Sequence, residues 1–533
     1  MNSRQTKKFD RIYLSTRSIL GPEAWNRLIK AYADLEAPET FPDCIHSLNS
    51  KHILPDYRPD LTRLEWTVHS IKKIKNKIPD IKDRMRVNPV MEILHLSWRC
   101  SHTLTADRED SPPLPQPGEE WAVIWRNPRS GSVHVEAASP EDLLCLKMVA
   151  EDIPEAVITQ SGEITPRKLE KILQNSIDKG ILLAPASRIR RDLSFYPGGT
   201  DLPERFFSSQ YFTLQWHITH TCDLHCKHCY DRSKRTAVTM DQGIQILNDL
   251  KSFCRNRYVK GHVCFSGGNP LLHPHFLKLY TAAVERNFST SILGNPAPRK
   301  QIEDIIAIQK PEYFQVSLEG LPEHNDWIRG KGNFTRVVEF LGVLRDLNLS
   351  SAVMLTLTGD NMDQILPLAE RLRGHTDHFT FNRLSPVGEG ANLQLPDKKT
   401  FAVFLEKYIE VTRSNPILGI KDNLINIIYE SQGIAPSGGC TGFGCGAAFS
   451  FFAVLPDGET HACRKFPSPI GNVLKQSLAE IYDSTEAEQY RRGTSACREC
   501  KLKPVCGGCL SIIHGYGLDI TRDMDPHCFI DDI

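Results

Sequence analysis

Cysteine is the residue type with the clearest chemical potential in this sequence, and its distribution is uneven. The chain has 533 residues and 16 cysteines. Three of them, Cys222, Cys226 and Cys229, lie within eight residues in the stretch THTCDLHCKHCYD, and eight more lie between Cys440 and Cys528. In a reducing compartment such cysteines more often bind metals or act in catalysis than form disulfides. The first group therefore predicts one shared metal site.

The number of cysteines in that loop indicates a reactive site. A cubane iron–sulfur cluster has four irons and is held by cysteine thiolates. Three cysteines leave one iron open, and an open coordination position is how a metal site binds a substrate or cofactor. The alternative is a zinc site completed by His225 or His228. That alternative leaves the glycine-rich stretch SGGNP, at 266–270, without an explanation.

Alternating strand-like and helical segments, from Tyr211 to about Leu384, must position this loop. Six apolar runs predict strands, and each is followed by a segment with helical spacing. Six such units in series predict a parallel sheet with right-handed crossovers, an α/β fold with an open or closed barrel. Ligands bind at the carboxyl ends of such strands, where both the cysteine loop and SGGNP fall. The strands are predicted at FTLQWHI, HVCFSG, STSIL, YFQVSLE, SAVMLTLT and HFTFNRL.

These features together resemble the radical S-adenosylmethionine (SAM) enzymes. The CxxxCxxC spacing after a first strand, with an aromatic residue (His228) before the last cysteine, is similar to their cluster loop. SGGNP resembles their GGEP motif, whose glycines bring the backbone close to the methionine end of SAM. Asn269 stands where the family usually has Glu, so a contact that needs a carboxylate is in doubt there. The resemblance implies a partial (β/α)6 barrel over residues 208–415.

The resemblance also implies a mechanism and a set of site residues. The three loop cysteines would hold a [4Fe–4S] cluster whose open iron binds SAM. One electron, from a donor such as flavodoxin or ferredoxin, would cleave SAM to a 5′-deoxyadenosyl radical that abstracts hydrogen from the substrate. LSPVGEG, from Leu384, resembles the segment beside the adenine. The implied catalytic and cluster residues are Cys222, Cys226 and Cys229, and the implied SAM contacts are Gly267, Gly268, Asn269, Ser317 and Arg329.

The C-terminal cysteines resemble a SPASM domain, the extension found in peptide-modifying radical SAM enzymes, here over residues 436–533. The pattern of Gly-x4-Cys, CxxC-x5-C and a late lone cysteine is present, although Cys506-x2-Cys509 is one residue shorter than usual. The resemblance implies two auxiliary [4Fe–4S] clusters, three in all. A pair of zinc ribbons is the alternative, because CxxC pairs also bind zinc. One auxiliary cluster would be held by Cys440, Cys445, Cys463 and Cys509, and the other by Cys497, Cys500, Cys506 and Cys528.

The sequence before the barrel predicts two further regions. Residues 1–107 have mostly helical spacing, and a proline-rich linker follows at 108–118. Residues 119–187 predict a β-hairpin, helices and a closing strand, a winged-helix-like module. Its eleven acidic and seven basic residues argue against DNA binding. Ahead of a radical SAM core, such a module resembles the domain that captures a leader peptide as an added strand; a purely structural wing is the alternative.

The charge balance and the hydropathy of the complete chain limit the classes of function. It has 64 basic and 64 acidic residues, which gives no general case for nucleic acid or a membrane surface. A polar N-terminus and no long apolar run predict a cytoplasmic protein. The sequence predicts a radical SAM enzyme that modifies a ribosomally made precursor peptide, and CTGFGCGAAFSF and HACRKFPSPIGN resemble maturases of the selenobiotic type. Alternatives are a sulfatase-type protein maturase, a small-cofactor synthase, or a non-catalytic zinc-binding scaffold.

Overall fold

The computed structural model describes residues 3–32, 38–49, 57–74, 78, 81, 84–105, 114–159, 164, 166–199 and 201–532. The chain divides into two compact units, Met1–Ala186 and Ser187–Ile533. No helix within the described ranges combines the length and the apolar character that crossing a membrane requires.

The first unit combines helices with a three-stranded antiparallel sheet, of order β2-β3-β4, and a short ribbon of β1 with β5. Its helices before the sheet are α1 (Ser3–Ile12), α2 (Leu14–Ala31), α3 (Phe41–Asn49) and α4 (Arg58–Lys73). The remaining elements are β1 (Arg86–Val87), β2 (Met91–Arg99), β3 (Gln116–Arg126), β4 (Val133–Ala137), α5 (Pro140–Ala150), α6 (Glu155–Thr159), α7 (Pro166–Lys179) and β5 (Leu182–Leu183).

Strand β2 corrects the helical prediction for one segment of residues 1–107, whereas helices α1 to α4 agree with that prediction. The apolar spacing of MEILHLSW fits a helix, but the segment pairs with β3 from Met91, opposite Trp125, to the end of the strand. Its Leu96 is fully buried in a core shared with Leu64 of α4 and Ile124 of β3. Buried backbone groups of β3 need a partner on this side, and that pairing outweighs the local helical spacing.

The predicted hairpin is confirmed, because β3 and β4 pair antiparallel around RNPRSG, with Arg126 opposite Val133. Strand β3 begins at Gln116, inside the stretch 108–118 that its prolines predicted to be a linker. Residues 106–113 lie outside the described residues. So does Thr165, which its place before Pro166 predicts to be the N-cap of α7. The domain boundaries at 107 and 119 stay a prediction.

The second unit contains a nine-stranded sheet of order β11-β10-β9-β8-β7-β6-β12-β13-β14. Its first six strands along the chain are parallel and follow the six predicted segments, so the partial (β/α)6 barrel is confirmed. The strands are β6 (Tyr211–Thr219), β7 (Lys260–Gly267), β8 (Ser289–Leu293), β9 (Phe314–Ser317), β10 (Ser351–Leu357), β11 (His378–Arg383), β12 (Phe451–Val454), β13 (Glu459–His461) and β14 (Pro469–Asn472).

Helices connect these strands and cover the sheet. The first begins with a capping box, in which Thr239 and Gln242 satisfy each other's backbone N–H groups. The helices are α8 (Met240–Arg257), α9 (Phe276–Glu285), α10 (Arg299–Ile308), α11 (Pro322–Arg329), α12 (Asn333–Asp346), α13 (Ile365–Leu372), α14 (Lys398–Thr412), α15 (Ile425–Ser431), α16 (Leu478–Tyr482), α17 (Thr485–Arg492) and α18 (Leu510–Gly515).

The C-terminal residues continue the barrel sheet. Strand β12 pairs in parallel with β6, and β13 and β14 extend the sheet antiparallel. The Phe452 ring packs edge-on against Phe212 of β6 with centroids 5.0 Å apart, and Tyr482 packs against both rings. The cysteine-rich tail and the barrel therefore share one hydrophobic core.

Candidate active site

A cavity of about 660 Å³ opens at the carboxyl ends of the parallel strands. Every one of the six strands contributes to its wall at or next to its last residue, as expected for this fold. The cysteine loop also lines it, so the predicted cluster ligands face the same space as the strand ends. The strand-end residues are Thr219, Gly267, Leu293, Ser317, Thr356 and Arg383, and the other predicted site residues in the wall are Cys222, Cys226, Cys229, Gly268 and Arg329.

The glycine loop is built against the backbone of the cysteine loop. Gly268 N donates to Thr219 O at 2.8 Å, and the next residue's N–H donates to Thr221 O at 2.8 Å. A Cβ on Gly268 would lie 2.3 Å from Thr221 O, and one on Gly267, where φ is +130°, would lie 2.1 Å from Thr219 O. Only glycine permits this approach. The two glycines therefore position the segment that leads into Cys222.

A buried glutamate that the sequence analysis missed organises the other side of the cysteine loop. Glu319 Oε1 accepts from Arg329 Nε at 2.9 Å and Nη2 at 2.6 Å, and lies 3.1 Å from His228 Nε2. Its Oε2 accepts from Thr356 N at 2.7 Å. Burial alone would raise the pKa of Glu319, but His228 and Arg329 hold it at about 2. The carboxylate is thus ionised and holds both the Arg329 guanidinium and the His228 imidazole in place.

This arrangement bears on two residues considered from sequence. The guanidinium of Arg329, predicted to contact SAM, is bonded to Glu319 and directs Nη1 at Cys226 Sγ, 3.7 Å away. His228, considered as a fourth zinc ligand, places Nε2 against the same carboxylate. His225 contacts the Arg232 guanidinium. In both histidines Nε2 therefore has another partner.

Further lining residues come from β6, the cysteine loop and the tail. Tyr230 Oη lies 3.1 Å from His217 Nδ1. Burial lowers the pKa of His217 to about 3, so this imidazole stays neutral. Arg464 and Lys465, which follow Cys463, also line the cavity. The C-terminal residues thus contribute to the wall of the cavity.

In the tail, Cys445 lies near enough to three other cysteines for their charges to affect its thiol. Burial raises the pKa of the Cys445 thiol to about 12, and the neighbouring Cys509, Cys463 and Cys440 sulfurs raise it too. Burial likewise raises the pKa of Cys463 to about 11. Buried thiols such as Cys445 and Cys463 lose their protons only when a cation compensates their charge. This chemistry fits an iron–sulfur cluster.

A second set of four thiols surrounds a smaller space at the other end of the tail. Cys497, Cys500, Cys506 and Cys528 all line a cavity of about 20 Å³. Burial raises the pKa of the Cys497 thiol to about 12, with Cys500 and Cys528 adding to the effect. The SPASM resemblance implies the same two groups of four cysteines, and their role as cluster ligands stays a prediction.

A buried ion network joins β11 to this tail. Arg383 donates to both carboxylate oxygens of Asp525 at 2.8 Å and to Asp422 Oδ2 at 2.8 Å. Burial opposes the charge of Arg383, but Asp422 and Asp525 keep its pKa well above the usual value. Asp525 in turn accepts from Cys509 N at 2.9 Å, and Cys528 N donates to the Asp525 carbonyl. Arg383, which lines the cavity, therefore holds Asp525. Asp525 in turn bonds the backbone of two predicted cluster ligands, Cys509 and Cys528.

Comparison with known families identifies the class of protein. The Radical SAM superfamily model matches residues 216–372, and SPASM, an iron–sulfur cluster-binding domain, matches residues 445–509. The chain is therefore a radical SAM enzyme with a SPASM domain, and iron–sulfur clusters and SAM are the cofactors of this class.

The chain is similar to several named proteins. The subtilosin biosynthesis protein AlbA of Bacillus subtilis is 22% identical over 69% of this chain and 82% of its own. The mycofactocin maturase MftC of Mycolicibacterium smegmatis is 25% identical over 59% of this chain and 82% of its own. An AdoMet-dependent heme synthase of Methanosarcina barkeri is 23% identical over 59% of this chain and 95% of its own. The SAM-bound structure of Streptococcus suis SuiB matches 76% of this chain and 96% of its own, with a TM-score of 0.49 and 16% identity.

Proposed function

We propose that this chain is a peptide maturase that uses a SAM-derived radical to modify a ribosomally made precursor. A [4Fe–4S] cluster with SAM supplies a 5′-deoxyadenosyl radical that abstracts a hydrogen atom from the substrate. Cys222, Cys226 and Cys229 hold the cluster, while Gly267 and Gly268 keep the loop in place. The walls of the cavity surround the reacting groups and exclude water.

Two further clusters belong to this proposal. The two sets of four thiols supply complete ligation for two [4Fe–4S] clusters, so the chain holds about twelve irons in all. Because every iron of a fully ligated cluster already has its thiolate, this arrangement supports electron transfer or structural support over direct binding of substrate. The electron donor is a separate protein such as flavodoxin or ferredoxin.

The observation that supports a peptide substrate is the outer edge of strand β4. The hydrogen bonds Asn127 N to Ser132 O and Ala138 N to Trp121 O fix which residues of β4 face β3. Since these groups alternate along a strand, the N–H and C=O of Val133, Val135 and Ala137 point away from β3. Strand β4 is the last strand of its sheet. Such an edge binds an extended peptide by strand addition.

The relatives support this proposal and also supply a competing one. The match to AlbA covers more of the chain than residues 187–533 contain, so it extends into the first unit. AlbA is named for bacteriocin biosynthesis and MftC as a maturase. The heme synthase relative favours a small-cofactor synthase instead, which has no need of a peptide-binding strand.

The experiment compares Val135→Pro with Val135→Thr in the complete enzyme. Proline removes an N–H that faces the free edge, so the β3–β4 ladder keeps its bonds while strand addition is blocked. Threonine gives up apolar packing yet keeps the N–H. The substrate is the short peptide encoded beside the enzyme's gene, assayed with and without its leader segment.

We expect the proline variant alone to lose binding and turnover of the full-length precursor, by about tenfold or more. Both variants should cleave SAM in the absence of peptide at the wild-type rate, because the cluster loop begins beyond residue 219. Equal turnover of the precursor by the two variants would make the module purely structural. Modification of a tetrapyrrole by the wild-type enzyme, with no change in the peptide, would favour the cofactor synthase.

A further inference from the structure

A cluster of three polar side chains joins the cysteine loop to the glycine loop. Asp223 Oδ1 accepts from Asn269 Nδ2 at 3.0 Å and from Asn295 Nδ2 at 2.6 Å. Asn295 follows β8, and its Nδ2 also lies 3.6 Å from Cys222 Sγ. Both asparagines are less than a tenth exposed. One carboxylate oxygen thus organises three segments around the first cluster ligand.

The hydrogen bonds of Asn269 require an amide at this position. Its Oδ1 accepts from Leu271 N at 3.2 Å, while its Nδ2 donates to Asp223. A carboxylate could keep the first bond but has no hydrogen for the second. It would instead place a second negative charge at the buried Asn269 position, about 3 Å from the Asp223 carboxylate, which is about a third exposed. Like charges this close disfavour each other.

The glycine loop has Asn269 where the GGEP motif has a glutamate, and the carboxylate of Asp223 lies beside it on the cysteine loop. We propose that Asp223 and Asn269 are a charge-exchanged pair, in which the cysteine loop carries the acid and the glycine loop the amide. In this pair Asp223 is the positioning residue: it orients Asn269 and with it Gly268 for SAM, and holds Asn295 against Cys222. This inference rests on SAM binding at the proposed cluster but not on the identity of the substrate.

An isosteric exchange tests this pairing. Asn269→Asp keeps the bond to Leu271 N and sets two acids against each other, whereas Asp223→Asn sets two amides together. The double variant, Asp223→Asn with Asn269→Asp, restores one acid and one amide in the same volume. Asp346→Asn is the matched control, because it removes the same charge from an exposed ion pair with Arg299.

The readouts are iron content, SAM affinity by equilibrium binding, and the change that SAM causes in the EPR spectrum of the reduced cluster. We expect each single variant at the pair to bind SAM about tenfold more weakly or worse, and the double variant to recover to within about threefold of wild type. Recovery of the EPR change should accompany recovery of affinity, and the control should behave as wild type.

Two outcomes overturn the inference. One is Asn269→Asp binding SAM as wild type does; the other is a double variant whose losses are the product of the two single losses. If a single variant fails to assemble its cluster, recovery of iron in the double variant still decides the question. A wild-type enzyme that does not bind SAM at all would instead refute the proposed function.

Discussion

The ion network at Arg383 offers a direct test of how the barrel and the cysteine-rich tail depend on each other. Arg383→Met keeps most of the side-chain volume but removes the charge and all donors to Asp422 and Asp525. The side chains of these two aspartates are at most 7% exposed. Removing one partner of a buried ion pair costs about 3–5 kcal/mol, because the remaining charge stays buried without compensation. Two stranded carboxylates place the expected loss near the upper end of that range.

The surface of the same unit supplies the control. Arg299 also contacts two carboxylates, Glu303 at 3.0 Å and Asp346 at 3.5 Å, but about half of its side chain is exposed. Ion pairs of this kind contribute about 0.5 kcal/mol or less. Arg299→Met should therefore leave unfolding nearly unchanged. Comparison of the two variants shows whether the loss in free energy of unfolding depends on the burial of the ion pair or on its number of contacts.

The assay is anaerobic unfolding in guanidinium chloride, followed by tryptophan fluorescence and by the visible absorbance of the clusters. Arg383→Met should shift the transition of the 187–533 unit to a much lower denaturant concentration. It should also lose iron from the tail, because Asp525 holds the backbone of Cys509 and Cys528. A loss below about 1 kcal/mol, equal to that of Arg299→Met, would refute the argument from buried charge.

Two further predictions concern the close packing around Gly268 and the effect of the Glu65 pKa on stability. Gly268→Ala should lose both cluster iron and SAM binding, since its Cβ would lie 2.3 Å from Thr221 O; Gly342→Ala, with open space around it, should be neutral or stabilising in the same measurements. Burial raises the pKa of Glu65 to about 7, so the stability of the first unit is greatest below about pH 4.5 and falls as the pH rises through 7, by about 3 kcal/mol. Glu65→Gln should remove this dependence in thermal unfolding scans between pH 5 and 8; an unchanged slope would contradict it.

The barrel was predictable because each of its elements carries a local signal. The parallel strands are apolar runs, since both of their faces are buried. Helix α8 begins with a capping box, and the cysteine spacing marks the loop after β6. Each of these signals lies within about twenty residues, so it can be read without knowledge of the fold. The clearest contrary example is β2, whose apolar spacing satisfied a helix until its pairing with β3 was known.

Glu319 shows why other site residues could not be found. A single acidic residue in SLEG has no spacing signature, and its partners Arg329 and His228 come from a later helix and from the cysteine loop. Only the fold brings them together. By contrast, the hairpin of β12 and β13 did have a signal, the turn sequence LPDGET after an apolar run, which predicts a hairpin.

The tail is best understood as part of the active site. Strand β12 lies beside β6, whose end carries the cysteine loop, and Arg383 at the end of β11 is bonded to Asp525 of the tail. The tail is thus attached to the first and the last strand of the barrel. Arg464 and Lys465, from the segment after Cys463, complete the cavity wall. A substrate that enters this cavity therefore meets the tail and the barrel together, so loss of a cluster proposed for the tail should alter the shape of the cavity.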